Sequence, residues 1–208
     1  TFHALSNNRK VLLLSVLSYS IFFSTISYIR CQEWKSESRF TANAYRYHPK
    51  SPRAVSNYAQ LATSNQRTDI ALRVIDIYLA NEARMSRALI LQKMYLFCSE
   101  NQLMSPNIYS QLEKTPDDVI AIELSQSLSN LLDIYHQQHC QSLDISKLVN
   151  IIDFWSRQYE SSSRSWHLDY YSNALLVASG NQDLAYERLY QLFINKQLNA
   201  GLYLLDLY

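Results

Sequence analysis

Glycine occurs twice and proline four times in the 208 residues of this chain. Antiparallel sandwiches and barrels need many tight turns, which glycine and proline supply, so their scarcity points away from a β architecture and toward an all-α fold. The same scarcity excludes a phosphate-cradling loop, a dinucleotide fingerprint and a nucleophile elbow, each of which needs clustered glycines. No CxxC or HExxH spacing occurs either, so no catalytic, cofactor-binding or metal-binding residues are assigned and no cofactor is expected. Charge of one sign is also missing: 19 Lys and Arg against 18 Asp and Glu leave a net +1. With the two signs interspersed there is no basic stripe, and nucleic acid is not an expected partner. The chain opens on Thr1 rather than Met and is expected to be processed or a piece of something longer.

One long uncharged stretch stands out. Residues 11–29, VLLLSVLSYSIFFSTISYI, lie between Lys10 and Arg30. As a helix the stretch extends about 28 Å, close to the hydrocarbon thickness of a bilayer. Its serines and threonine can bond back to the carbonyl one turn earlier, which makes them tolerable in lipid. A signal peptide usually has a shorter apolar region and a small-x-small cleavage site, whereas this stretch runs into Tyr28, Ile29, Arg30 and Cys31. A membrane span is expected, with a buried helix of a soluble protein as the alternative. Arg9 and Lys10 flank one end, and Arg30, Lys35 and Arg39, partly offset by Glu33 and Glu37, flank the other, so charge alone does not orient the span.

Downstream, helical periodicity dominates. Val55, Tyr58, Ala59 and Ala62 form one i, i+3, i+4, i+7 stripe, and Ile70, Ala71, Val74, Ile75 and Tyr78 form a second beyond a break at Asn65 and Gln66. Two such helices with a short joint make an antiparallel hairpin. The pattern resembles the tetratricopeptide repeat (TPR), a helix-turn-helix unit of 34 residues. With Pro52 first, Ala59 and Ala71 take the small eighth and twentieth positions and Ile75 the large twenty-fourth. Counting backward, Pro49 and Ala44 take late positions of a preceding unit. One proline closes a unit; the other starts a helix, where its missing N–H costs nothing.

Later segments are looser. Residues 86–98 begin one period after Pro52, but their partner is cut short by Ser105 and Pro106. Residues 117–140 carry a stripe of Ile120, Leu124, Leu128, Leu131 and Tyr135 behind Thr115 as N-cap, and residues 144–159 follow with Asp144 capping and Leu148, Ile151, Ile152 and Trp155 inward. The pattern returns at Gly180 and Ala185, with Leu189 on the large position. The expected architecture is therefore a pre-membrane segment (1–10), a transmembrane helix (11–30) and an α-solenoid of TPR-like hairpins (31–208), regular near 34–80 and 165–195 and degenerate between. Such repeats stack to bury their faces and leave a groove for a protein or peptide partner.

The junction after the span is more specific. Arg30 and Trp34 followed by Ala44-x4-Pro49-x-Ser51-x-Arg53-Ala54 resemble the stretch linking the last span to the repeats in the transmembrane and TPR-containing mannosyltransferases and their bacterial relatives. This resemblance implies repeats on the periplasmic or lumenal side of a membrane, here a bacterial inner membrane. It also implies that any catalysis lies in a polytopic part upstream, glycosyltransferase-like in character. Beyond residue 85 the pattern fades.

Three cysteines cannot all pair. In an oxidising compartment Cys98 and Cys140 could form a disulfide, leaving Cys31 near the membrane; in a reducing one both would be small buried apolar residues. His136, His139 and Cys140 are the one cluster resembling a metal site, but no fourth ligand accompanies them, and polar residues at a helix end are the plainer reading. Among sixteen tyrosines, Tyr58, Tyr78, Tyr95, Tyr135 and Tyr190 fall on apolar stripes and are expected in the core.

Overall fold

The sequence's helical periods correspond to ten α-helices, with no strand among the described residues. The structure, a computed structural model, describes residues 2–80, 86–115, 122–137, 140, 142–159 and 165–194. The chain divides into two compact units, Thr1–Pro49 and Lys50–Tyr208, so the break falls between Pro49 and Pro52.

The first unit holds α1 (Phe2–Trp34) and α2 (Glu37–Tyr47). Within α1 the window Val11–Gln32 is long and apolar enough to cross a membrane, and none of it is buried. Leu12, Leu13 and Tyr19 are about two-thirds exposed. The hydroxyls behave as lipid requires: Ser15 Oγ donates to the Val11 carbonyl at 2.9 Å and Thr25 Oγ1 to that of Ile21 at 2.8 Å. Past residue 30 α1 runs on to Trp34, which closes it. Ser36 takes an extended conformation and accepts from the Arg39 N–H at 3.4 Å, which starts a separate helix.

The second unit holds α3 (Pro52–Ser64), α4 (Thr68–Leu79), α5 (Arg87–Ser99), α6 (Asn107–Lys114), α7 (Ile122–His136), α8 (Ile145–Gln158), α9 (Ser165–Ala178) and α10 (Gln182–Ile194). The odd-numbered helices follow one another in space, α3 against α5, α5 against α7 and α7 against α9. The even-numbered ones sit beside them: α4 on α3 and α5, α6 on α5 and α8, and α8 and α10 on α9. The core runs from Ile90 on α5 to Ala185 on α10, with Leu112, Leu128, Leu148 and Trp155 fully buried within it.

Small residues set the closest approaches. Ala59 and Ala71, on facing helices of the first hairpin, are both wholly buried, as is Ala185 where α10 meets α9. Pro52 stands at the start of α3 behind Ser51, whose hydroxyl accepts from the Ala54 N–H at 3.4 Å. Polar side chains then fix how the odd helices slide on one another. Gln92 Nε2 donates to the Ser56 carbonyl across α5 and α3, and Ser127 Oγ donates to the Ala88 carbonyl across α7 and α5.

One terminator recurs. After α3, α5 and α9 the chain passes through a left-handed residue, Gln66 (φ 60°), Asn101 (φ 55°) and Gly180 (φ 84°). Each has the same pair of closing bonds: Arg67 N–H to Ala62 O and Gln66 N–H to Thr63 O, Gln102 N–H to Phe97 O and Asn101 N–H to Cys98 O, Asn181 N–H to Leu176 O and Gly180 N–H to Val177 O. These are Schellman caps. The first two stand a repeat-like interval apart, as do the starts of α3 and α5. A Cβ on Gly180 would meet nothing within 4 Å, so glycine serves its backbone angle there rather than a close contact.

Other expectations shift. Thr115, expected to cap residues 117–140, ends α6: its backbone is extended and its hydroxyl donates to the Gln111 carbonyl at 2.7 Å. Residues 116–121, with Ile120, lie outside the described residues, and the helix is described from Ile122. Tyr78 is buried and Tyr58, Tyr95 and Tyr135 are half-buried, but Tyr190 is 46 % exposed and stacks on Tyr186, because α10 buries only its Ala185–Leu189 edge.

Ala59→Trp should lower the free energy of unfolding by at least about 2 kcal/mol, since a wholly buried methyl site cannot take an indole without parting α3 from α4. Ile77→Trp, on the exposed side of α4, should change it by less than about 0.5 kcal/mol; equal denaturant midpoints for the two variants would contradict the hairpin packing. Gln66→Gly should raise stability by about 0.5–1 kcal/mol by relieving a left-handed residue, read as an increased midpoint at unchanged slope.

Candidate functional site

In the second unit α8, α9 and α10 enclose a cleft of about 600 Å³. Three local features build it. Asp144 caps α8, accepting from the Lys147 N–H at 3.1 Å; that bond and the Lys147 ammonium outweigh its slight burial and hold the carboxyl below its usual range. Asp144 is itself anchored by donating its backbone N–H to Tyr109 Oη of α6 at 2.7 Å, and burial pushes that phenol up. At the other side the Schellman turn at Gly180 folds α10 back onto α9, and Ala185 lets the two approach.

The centre of the cleft is an ionic network. Asp153 Oδ1 accepts from Ser172 Oγ and from Arg188 Nη2, joining α8 to α9 and α10. Ser156 Oγ donates to Asp169 Oδ1, and Asn173 Nδ2 donates to the Asp169 carbonyl at 2.7 Å. Asp153 and Arg188 each keep about a quarter of their side chains exposed (24 and 27 %), so the pair is reachable from solvent yet ordered. Around it Val149 and Leu176 supply an apolar floor, while Asn150, Arg157 and Asn181 are exposed at the rim.

Such a surface can bind but is poorly arranged for bond-making. The Ser172 and Ser156 hydroxyls point at carboxylates already charge-paired or hydrogen-bonded, and among the described residues no lining residue is His or Cys. An apolar floor with amide and guanidinium groups on its edge places an apolar and a polar environment side by side.

The residues singled out in the sequence are dispersed. Ala59 and Ala71 are core of the first hairpin; Pro49 and Pro52 are at the exposed boundary of the units; Trp34 and half-buried Ala44 line a separate cavity in the first unit. Only Gly180 and Ala185 help to shape the cleft. Cys98, at the end of α5, and Cys140, beyond α7, are joined in a disulfide with Cα atoms 4.7 Å apart, and Cys31 is a free exposed thiol. The cluster of His136, His139 and Cys140 does not form: Cys140 is committed to sulfur, His139 lies outside the described residues, and no group of three metal-ligating side chains occurs among the described residues. The sequence reading missed Asp153 and Arg188. The available signal was an acid set between Ile152 and Trp155 in an otherwise apolar run, which needs a cation from elsewhere in the fold.

No protein-family model matches the chain, and no curated protein or solved structure matches it either.

Arg188→Met should destabilise the second unit by about 1–2 kcal/mol by leaving a partly buried carboxylate with one donor fewer. Adding Asp153→Asn should return part of that loss. Strict additivity of the two changes in a denaturant double-mutant cycle would show that the two side chains do not interact.

Proposed function

We propose that the chain is a membrane-anchored interaction module. In this reading α1 spans the bilayer through Val11–Gln32, and α3–α10 form a TPR-like α-solenoid that receives a protein or peptide in the α8–α10 cleft. The observation that carries the reading is the serial packing of α3, α5, α7 and α9, each covered by the next, in a chain whose longest apolar helix is left entirely unburied. Hairpins that cannot bury their faces singly do so by stacking, and apolar side chains with no protein over them need lipid or a partner. The shared Schellman caps and the similar starts of α3 and α5 support the repeat. The eight-residue α6 departs from a strict tetratricopeptide consensus and accounts for its fading after residue 85.

The Cys98–Cys140 disulfide favours an oxidising side of the membrane, the periplasm if the membrane is a bacterial inner membrane. An accessory domain of a glycosyltransferase-like membrane enzyme is the second reading. It rests on the Trp34-to-Ala54 junction, which resembles that of the mannosyltransferase family. A soluble helical protein with residues 11–29 in its core is disfavoured by the exposure of those side chains.

After alkaline carbonate extraction the chain should remain in the membrane pellet, and recovery in the supernatant would end the anchored reading. A photoreactive residue in place of Asn150, on the cleft rim, should crosslink to a discrete protein or peptide, whereas one at exposed Ile77 of α4 should not; indistinguishable patterns at the two positions would remove the cleft as the binding surface.

A further inference from the structure

We infer that the first unit holds a binding site for a single anionic phospholipid, seated between the last turns of α1 and the face of α2. The inference rests on the proposal that α1 spans a membrane. A cavity of about 610 Å³ opens there. Its apolar side is made by Ile26, Ile29 and Phe40, and its polar side by Arg30, Asn43 and His48.

The argument for the occupant is one of continuity. Ile26 and Ile29 belong both to the cavity and to the apolar window of α1, which ends at Gln32. Whatever fills the cavity therefore has an apolar part that arrives from the lipid side. Arg30 lies within the last turn of that window, at the depth where a bilayer's phosphates begin, so the other part of the occupant is polar and favoured by positive charge. An amphipathic molecule with an anionic head at that depth is an anionic phospholipid.

The surroundings suit it. Trp34 is 71 % exposed and packs on Phe40 with ring centroids 5.0 Å apart, and Tyr47 is 66 % exposed on the same small unit; such rings settle at the level of lipid head groups. Lys35, Arg39 and Arg46 add cations, and after Glu37 no acid occurs until Asp69. A basic cluster beside a span attracts anionic lipid. The cavity adds a defined seat to that general attraction.

The full chain, purified in a non-ionic detergent, would be mixed with phosphatidylglycerol or phosphatidylcholine of identical acyl chains, and the lipid retained on the intact protein measured by native mass spectrometry. One phosphatidylglycerol should be retained at least about fivefold more than phosphatidylcholine. Arg30→Gln should cut that preference by about fivefold, the equivalent of ~1 kcal/mol for one basic residue at an anionic surface. Phe40→Ala should lower retention of both lipids, and Arg73→Gln on α4, outside the cavity, should change neither. Helical circular dichroism of each variant would confirm that it is folded. Equal retention of the two lipids, or an Arg73→Gln effect as large as that of Arg30→Gln, would overturn the site. Carbonate extraction separates the two levels: a chain that stays in the pellet yet shows no lipid preference refutes only this inference, whereas a chain released to the supernatant refutes the anchored reading beneath it.

Discussion

A buried cation organises the middle of the second unit. Arg87, at the first turn of α5, is 3 % exposed, and its guanidinium lies 4.5 Å from the ring centre of Trp155 on α8 while Nη2 donates to the Thr115 carbonyl that ends α6. A guanidinium taken out of water loses several kcal/mol of hydration and is tolerated only where acceptors and a π face are held in place for it. Three helices, α5, α6 and α8, are thereby fixed to one point. Trp155, wholly buried beneath the cation, in turn sits among the residues that position α8, and one turn of α8 carries both Trp155 and Asp153. The α8–α10 cleft is thereby tied to Arg87 through the seat of α8.

Around that point the remaining constraints are of two kinds. Apolar packing is non-directional and would allow the odd-numbered helices to slide. The Gln92 to Ser56 and Ser127 to Ala88 bonds are directional and do not. Between helices α4 and α5 the Lys93–Asp76 pair at 2.6 Å, and between α3 and α7 the Arg53–Glu123 pair, add partly exposed tethers. Burial alone would raise the Glu123 carboxyl, but the Arg53 hydrogen bond and charge, with a backbone bond, bring it below its usual range. Such a depressed carboxyl contributes stability above its unfolded value and loses that contribution as pH falls through the folded one. The disulfide adds a constraint on the unfolded chain: with Cys98 and Cys140 separated by 42 positions, loop closure is worth about 4 kcal/mol in the chain-entropy account.

Legibility in the sequence followed the range of the interaction. The helices, the α3–α4 hairpin, the cap at Asp144 and the unburied character of residues 11–29 depend on residues within one or two turns, and periodicity with composition showed them. The left-handed closures at Gln66 and Asn101 were harder, because only Gly180 carries the residue type that announces such an angle. Thr115 stands at the end of α6, while the start of the segment it was expected to cap lies outside the described residues. The ionic network of the cleft was least visible: Asp153 and Arg188 are on different helices, and nothing local to either residue names the other. The interval between Pro49 and Pro52 was read as the joint of two repeats; the division into two compact units falls within it, after Pro49.

Topology leaves two observations in tension. Lys35, Arg39, Arg46 and Lys50 follow the apolar window closely, against Arg9 and Lys10 before it, and cations so placed are retained on the cytoplasmic side by the usual bias. A disulfide between Cys98 and Cys140 asks for the opposite side. The two differ in kind. The charge bias is a preference during insertion, which spans earlier in a polytopic chain can override, whereas a thiol pair kept in a reducing compartment does not stay oxidised. On the proposed extracytoplasmic reading the disulfide outweighs the charge bias in setting the orientation. The cations, held on the side the bias disfavours, then have a compensating use: the anionic head groups of that leaflet are the counter-charge that Arg30 and its neighbours meet, and the cavity beside Trp34 is where one of them can be held in a fixed position.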